Sequence, residues 1–167
     1  IAEETGYIDK ITDWTIEGLC KQVHKWKHAN IDTLPISINI SPYEFEKEEF
    51  TEHFIDILNK YSLGHKDIEI EVTEDALVSG TKNITHKINK LKTRGFKILV
   101  DDFGTGNSSL GYLKSLNVDV LKIDREFIKN YPETDNGGLA KIITDIAATL
   151  KLEIIAEGVE TEEQASF

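Results

Sequence analysis

Apolar residues along the chain change their spacing repeatedly, and each spacing predicts a different kind of element. The first set recurs at helical intervals and roughly shares one helix face: Ile11, Trp14, Leu19, Val23 and Trp26. A short strand is predicted at 35–41, and helical spacing then returns in a second set, Phe50, Phe54, Ile57, Leu58 and Tyr61. Gly64 is predicted to end this second helix, because glycine readily adopts the left-handed conformation that terminates helices.

The rest of the chain continues the alternation of strands and helices. Further strands are predicted at 68–74, 96–102, 118–124 and 152–157. A helix with Ile84, Ile88 and Leu91 on one face is closed by Gly95, and a short helical segment is predicted around 110–113. The most regular helix has an i, i+3, i+4, i+7 series that comprises Leu139, Ile142, Ile143, Ile146, Ala147 and Leu150.

Five strands that alternate with helices predict parallel βαβ units. An open doubly wound sheet and a TIM barrel both fit this count. No glycine-rich dinucleotide or phosphate-loop motif follows the first strand, which disfavours the nucleotide-binding open sheets. A complete (β/α)8 barrel needs about 250 residues and the chain has 167, so we expect part of one domain. The segment 161–164, Thr-Glu-Glu-Gln, is a capping-box pattern that opens a further helix.

Charge and composition narrow the classes of partner. The formal net charge of −11, without a stripe of lysines and arginines, disfavours DNA and RNA binding. No apolar run approaches the roughly 20 residues that span a bilayer, so we expect no membrane contact from this segment. Cys20 is the only cysteine, which excludes an internal disulfide and fits a reducing compartment such as the cytoplasm. We expect Cys20 to be a small buried side chain.

Polar side chains stand at the carboxyl end of every predicted strand. In chain order they are Asn39 and Ser41, Glu71 and Glu74, Asp101 and Asp102, Lys122 and Asp124, and Glu157 and Glu160. In a (β/α) barrel these strand ends converge on one face, so five segments would deliver oxygen ligands and one ammonium to one place. Several carboxylates at such distances repel one another, and divalent cations with oxygen ligands, such as Mg²⁺ or Mn²⁺, relieve that repulsion.

Each of these residues also has an ordinary structural interpretation. An Asp-Asp pair is usually a solvated loop, carboxylates at 157–160 suit a helix start, and Lys122 suits a solvent-exposed strand end. The functional interpretation gains weight because all five strands carry a polar group at the same end. Asp101 and Asp102 would point to opposite sides of a regular strand, so both reach the site only if the chain bends, as the following glycines allow. The five histidines lie away from the strand ends, which disfavours a zinc site.

Six segments resemble, in order, the motifs of EAL-domain cyclic di-GMP phosphodiesterases. They are 2–6 (AEETG), 39–41 (NIS), 71–74 (EVTE), 101–106 (DDFGTG), 121–125 (LKIDR) and 156–161 (AEGVET). The resemblance covers essentially all of residues 1–167, and the combination of DDFGTG with LKIDR is highly specific. It implies a (β/α)8 TIM-like barrel, incomplete here because the first and last strands are missing, that hydrolyses cyclic di-GMP to linear pGpG in the intact parent protein.

The resemblance also implies roles for individual residues. The ligands of a two-cation site with Mg²⁺ or Mn²⁺ would be Asn39, Glu71, Asp101, Asp102 and Glu157. Lys122 would orient or deprotonate the attacking water, with Glu157 as a ligand or base. Glu74 would anchor the loop 103–109, which shapes the metal site and a dimer contact. Asp124 and Glu160 match further motif positions.

The resemblance has consequences beyond the site. It implies a homodimer in the bacterial cytoplasm, with a fused sensory or GGDEF domain in the parent protein. The family's Glu-Ala-Leu segment and its last-strand glutamine are not in the chain, so residues 1–167 alone are expected to be inactive. Asn107 stands where the family usually has tyrosine. A non-catalytic cyclic di-GMP receptor is the alternative, and a dimerisation scaffold is a third possibility.

Overall fold

The computed structural model describes residues 6–78, 82–104, 113, 116–129, 131 and 137–166. Within them five strands form one parallel sheet: β1 (Ile36–Asn39), β2 (Ile68–Thr73), β3 (Ile98–Phe103), β4 (Val120–Ile123) and β5 (Glu153–Ala156). The strands neighbour one another in chain order, β1-β2-β3-β4-β5, and every pair is parallel. Doubly wound sheets reverse their strand order at a switch point, whereas barrels keep the sequential order. The predicted barrel-type α/β fold is therefore confirmed.

Helices precede β1 and follow β5, and in the described residues they occupy the connections β1–β2, β2–β3 and β4–β5. They are α1 (Tyr7–His28), α2 (Pro42–Glu46), α3 (Phe50–Lys60), α4 (Glu74–Val78), α5 (Lys82–Thr93), α6 (Gly138–Leu150) and α7 (Glu162–Ser166), with a 3-10 turn at Arg125–Phe127. Parallel strands need such crossovers because their ends lie at opposite edges of the sheet. The short helix predicted around 110–113 falls almost entirely outside the described residues. No helix in the described ranges is both long and apolar enough to cross a membrane.

The core lies on both faces of the central strands. β4 is buried at all four positions, and β2 and β3 are buried at most of theirs. A chain of aromatic rings from α2, α3 and the segment before β3 packs against the sheet, with 5.3 Å between the ring centroids of Phe45 and Phe50, 5.9 Å between Phe50 and Phe54, and 5.7 Å between Phe54 and Phe96. This burial makes the sheet a rigid support for whatever its strand ends carry.

Two details of the helices differ from the sequence prediction. In α1 the buried residues are Ile16, Cys20 and Val23, while Ile11 and Trp14 are exposed. At 100° per residue, Ile11 and Trp14 lie roughly 140–160° around the helix from Ile16, so the predicted stripe mixed two faces. Cys20 is fully buried, as expected.

The second difference concerns the end of α3. The helix ends at Lys60, and the left-handed residue after it is Ser62, with a φ of 55°, instead of Gly64. Gly64 belongs to the next turn, where its N–H donates to the carboxylate of Asp67 at 3.0 Å. At the end of α5 the prediction is confirmed, because Gly95 has a φ of 90° and its N–H donates to the Lys92 carbonyl at 2.9 Å.

Candidate active site

The ammonium of Lys122 lies among three carboxylates from three other strand ends. Its Nζ is 3.2 Å from Glu71 Oε2, 2.9 Å from Asp101 Oδ1 and 2.6 Å from Glu157 Oε1. Lys122 is on β4, Glu71 on β2 and Asp101 on β3, and Glu157 directly follows β5. The structure therefore brings together residues that are up to 86 positions apart in the sequence, at the edge where the sequence places them.

Strand register explains how the fifth strand end joins this cluster. Asn39 of β1 is the parallel partner of Glu71, so their side chains leave the sheet on the same face. The Asn39 amide nitrogen Nδ2 donates a hydrogen bond to Glu71 Oε2 at 3.0 Å. This bond uses the amide nitrogen and leaves the carbonyl oxygen Oδ1 as the atom that could bind a cation.

The chain bends at the adjacent aspartates, as the sequence requires for both to reach the site. Asp102 has a φ of 54° and Gly104 a φ of 96°, and the pairing of β3 with β4 shifts register between Val100 and Phe103. A positive φ is uncommon for a residue other than glycine, and aspartate adopts it more readily than most residues. The bend reverses the strand alternation at Asp102.

The electrostatic surroundings of Asp102 show that it faces the other carboxylates. Burial raises the pKa of the Asp102 carboxyl above its usual range, and so do the nearby carboxylates Asp101, Asp124 and Glu157. A carboxyl group whose ionised form is disfavoured in this way gains from a bound cation, because the cation stabilises the charged form.

In the described part of the chain, the Lys122 ammonium is the positive charge that contacts this group of carboxylates. Burial lowers the pKa of the Lys122 ammonium, but the contacts with Asp101, Glu157 and Glu71 outweigh it, and the pKa is raised well above the ordinary lysine value. In this arrangement Lys122 is an ammonium, which can donate hydrogen bonds and orient a neighbour but cannot accept a proton.

Glu74, the predicted anchor of the loop 103–109, contacts the backbone near the start of that loop. The Gly104 N–H donates to Glu74 Oε2 at 2.6 Å. A side chain at position 104 would come within 3.0 to 3.2 Å of Ile143 and Phe127, and the positive φ there also favours glycine. Residues 105–109, including Asn107, lie outside the described residues, so anchoring of the whole loop stays a prediction.

The two remaining motif residues differ in their surroundings. Asp124 caps the 3-10 turn, because its Oδ1 accepts from the Glu126 N–H at 2.7 Å. Its carboxylate also helps to raise the pKa of Asp102. Glu160 is exposed, and its described hydrogen bond is made by the backbone N–H, which donates to Gln164 Oε1 at 2.7 Å. Asp124 thus lies with the cluster, whereas Glu160 contributes through its backbone.

The donor set suits divalent cations, although the described residues hold no preformed cage. No group of three or more histidine, cysteine, aspartate or glutamate side chains among the described residues is spaced to hold a metal ion; the Lys122 ammonium stands between the carboxylates instead. Asp101 Oδ1 is buried, and its partner within the described part of the chain is the Lys122 ammonium, 2.9 Å away.

The charge balance at the strand ends also favours binding of divalent cations. Three carboxylates contact the Lys122 ammonium (Glu71, Asp101 and Glu157), and Asp102 and Asp124 lie near them, which leaves a net charge of −4 when all five are ionised. Two divalent cations would neutralise that charge with the hard oxygen ligands that Mg²⁺ and Mn²⁺ prefer.

The carboxyl ends of the five strands, with the segments that follow them, form the rim of the sheet. Two residues near this rim are not among the predicted site residues. Thr73 lines a cavity of about 470 Å³ with Asn39, Asp101 and Asp102, between α1 and the strand ends. Its spacing of two from Glu71 would have placed both on one face of β2. The sequence indicates Gln164 only as part of a helix cap. The capping box is confirmed, since Thr161 Oγ1 accepts from the Gln164 N–H at 3.2 Å and Gln164 Oε1 accepts from the Thr161 N–H at 3.1 Å.

Comparison with known proteins gives consistent matches. The family model described as "EAL domain" matches residues 1–167. Signaling protein YkoW of Bacillus subtilis is 38% identical over 98% of the chain and 20% of its own length. Cyclic di-GMP phosphodiesterase NbdA of Pseudomonas aeruginosa is 33% identical over the whole chain and 22% of its own length.

A solved structure described as "PaMucR Phosphodiesterase, c-di-GMP complex" is 35% identical to the chain and superposes with a TM-score of 0.89. The alignment covers 99% of this chain and 72% of that one. The chain spans between 20% and 25% of the length of the curated relatives that it matches.

Proposed function

The chain belongs to the EAL domain family, and we propose that it supplies most of the active site of a cyclic di-GMP phosphodiesterase. In the full-length protein this domain hydrolyses one phosphodiester bond of cyclic di-GMP and releases linear pGpG. The observation that carries the proposal is the contact of Lys122 with Glu71, Asp101 and Glu157, at 2.6 to 3.2 Å. The names of similar proteins, a phosphodiesterase and a cyclic di-GMP complex, support it.

We assign the cation ligands to the three carboxylates that contact Lys122 and to two residues that adjoin them, Asn39 and Asp102. Two Mg²⁺ or Mn²⁺ ions would be held by Asn39, Glu71, Asp101, Asp102 and Glu157. When bound, such ions polarise a phosphoryl oxygen and lower the pKa of a bound water. They also let a strongly acidic rim accept a ligand with two negative phosphates.

The residues of the chain then orient the reactants. The Lys122 ammonium, already held by three carboxylates, donates toward the attacking water and fixes the position of its oxygen opposite the leaving group. As the water oxygen bonds to phosphorus, the bond from phosphorus to the 3′-oxygen breaks, and that oxygen takes a proton from solvent, to which Glu157 later returns the proton that it accepts. Glu157, the carboxylate nearest to Lys122 Nζ, is placed to take the proton that the water loses.

The wider assembly is also a proposal. Similar proteins include an oxygen sensor, DosP, and a bifunctional diguanylate cyclase and phosphodiesterase, MucR. We propose that the full-length protein likewise carries a sensory or GGDEF domain and acts in the bacterial cytoplasm. A homodimer, with the loop 103–109 near the contact, stays a prediction from the family resemblance.

Turnover of cyclic di-GMP by the full-length protein tests the proposal. Chromatography should show pGpG formed in the presence of Mg²⁺ or Mn²⁺, and Asp101→Asn should reduce the rate at least 100-fold. Asp56→Asn is the matched control, because Asp56 is an exposed aspartate on α3, away from the strand ends. Tight nucleotide binding without pGpG would indicate a receptor and refute the enzyme proposal. Equal rates for the wild type and Asp101→Asn would refute the assigned site.

A further inference from the structure

The side chain of Gln164 connects two separate segments of the rim. Its Oε1 accepts from the backbone N–H groups of Glu160 and Thr161, at 2.7 and 3.1 Å. Its Nε2 donates to the backbone carbonyls of Ile128 and Lys129, at 3.3 and 3.4 Å. These four bonds use both acceptor and both donor positions of one amide, and Gln164 is buried.

Only half of this arrangement is explained by helix capping. A capping box requires the exchange with Thr161 at the start of α7 and nothing more. The donation to residues 128 and 129 crosses to a segment about 35 positions earlier in the chain. That segment follows β4, and the segment at 157–161 follows β5. Gln164 therefore ties the segment after β4, the strand that carries Lys122, to the segment after β5, which begins with Glu157.

A second contact holds the same two segments together. Gly158 has a φ of 66°, and a side chain at this position would place its Cβ 2.6 Å from Arg125 Cβ. The segments approach so closely here that only glycine fits. Between this contact and the sheet, the Glu157 N–H donates to the Ile123 carbonyl at 3.0 Å. The backbone around Glu157 is thus held from the β4 side at three levels.

Glu157 is the site carboxylate that most needs such support. Its side chain is 37% exposed, compared with 9% for Glu71 and 14% for Asp101. The latter two lie within strands whose neighbours fix them, whereas Glu157 lies in the segment after β5. Its 2.6 Å contact with Lys122 depends on where that segment sits.

We propose that Gln164 is a positioning residue for the phosphodiesterase reaction, because it holds the segment after β5 against the segment after β4 and so keeps Glu157 beside Lys122. The inference rests on the proposed function. Gln164 does not touch the reacting atoms. Its replacement should therefore lower turnover under conditions in which the protein stays folded.

Three variants of the full-length protein separate positioning from helix capping. Gln164→Leu removes all four hydrogen bonds at similar volume. Gln164→Glu keeps the two acceptor bonds and loses both donors to residues 128 and 129. Thr161→Val, the matched control, removes the Oγ1 that accepts from the Gln164 N–H but leaves the bridge between the segments intact. All three are assayed at saturating substrate, well below the melting temperature of the least stable variant.

We expect both Gln164 variants to lower kcat at least tenfold with KM changed less than threefold, and to weaken activation by Mn²⁺, while Thr161→Val stays within twofold of wild type. If Gln164→Leu fails to fold, Gln164→Glu carries the test. A kcat within twofold of wild type for Gln164→Glu would overturn the inference, and so would an equal loss for Thr161→Val. Absence of turnover in the wild type would instead count against the proposed function.

Discussion

Replacement of Lys122 by methionine is the sharpest test of the charge balance at the rim. Methionine keeps an unbranched side chain one atom shorter and removes the ammonium, so Glu71, Asp101 and Glu157 lose the charge that lies 2.6 to 3.2 Å away. Removing one partner of a buried ion pair costs about 3–5 kcal/mol, because the remaining charge stays buried. Since Glu157 is partly exposed and screened by solvent, we expect the lower end, about 3 kcal/mol.

The pH dependence has a definite sign. The loss comes from repulsion between ionised carboxylates, and protonation of a carboxylate removes that repulsion. Lys122→Met should therefore lose less stability near about pH 4.5, where carboxyl groups begin to protonate, than near about pH 7.5, where we expect the loss of about 3 kcal/mol. Mg²⁺ should restore more stability to the variant than to the wild type, because the cation replaces the missing positive charge.

Urea denaturation followed by circular dichroism, at both pH values and with and without Mg²⁺, measures these differences. Lys129→Met is the matched control: Lys129 is an exposed lysine whose Nζ lies 2.6 Å from Glu126 Oε1, and exposed pairs contribute about 0–1 kcal/mol. A loss for Lys122→Met no larger than that of Lys129→Met at neutral pH would refute the reasoning, because the carboxylates would then not depend on the ammonium.

Two further predictions concern the backbone and the single cysteine. Gly158→Ala should lower the free energy of unfolding by about 1–3 kcal/mol, because Gly158 has a positive φ and lies against Arg125. Gly18→Ala should raise the free energy of unfolding by about 0.5–1 kcal/mol, because Gly18 lies inside α1 and no atom lies near the position of its Cβ. A change of the same sign in both variants would contradict this reasoning. Burial raises the pKa of the Cys20 thiol to about 11, which lowers its thiolate fraction near pH 8 about 100-fold. Iodoacetamide should modify Cys20 only after denaturation, and rapid labelling of the native protein would show the thiol to be accessible.

The sequence predicts the strands well because each combines a short apolar run with a turn residue. Glycine at 95 ends α5 as expected, since it supplies the left-handed conformation that a helix end uses. At the end of α3 the left-handed residue is Ser62, and residue preferences alone would favour the nearby Gly64 for that conformation. In α1 the helical period fits two stripes, and only contacts with α3 decide that Ile16 and Cys20 face the core.

The site could be assembled from sequence because parallel strands align their carboxyl ends. That rule places Glu71, Asp101 and Lys122 together before any coordinate is known, and the Asp-Asp pair requires the bend found at Asp102. The rule does not show which polar group occupies the centre, since that depends on side-chain lengths and register. It also misses Gln164, whose partners are backbone carbonyls at 128 and 129 and leave no pattern in the sequence.

Counting bound Mn²⁺ in the full-length protein by electron paramagnetic resonance, with cyclic di-GMP present, tests most directly whether the strand-end residues hold cations. We expect two Mn²⁺ ions per chain, with loss of at least one in Asp101→Ala and no change in Asp56→Ala. No bound Mn²⁺, or the same number in Asp101→Ala as in the wild type, would contradict the proposed metal site.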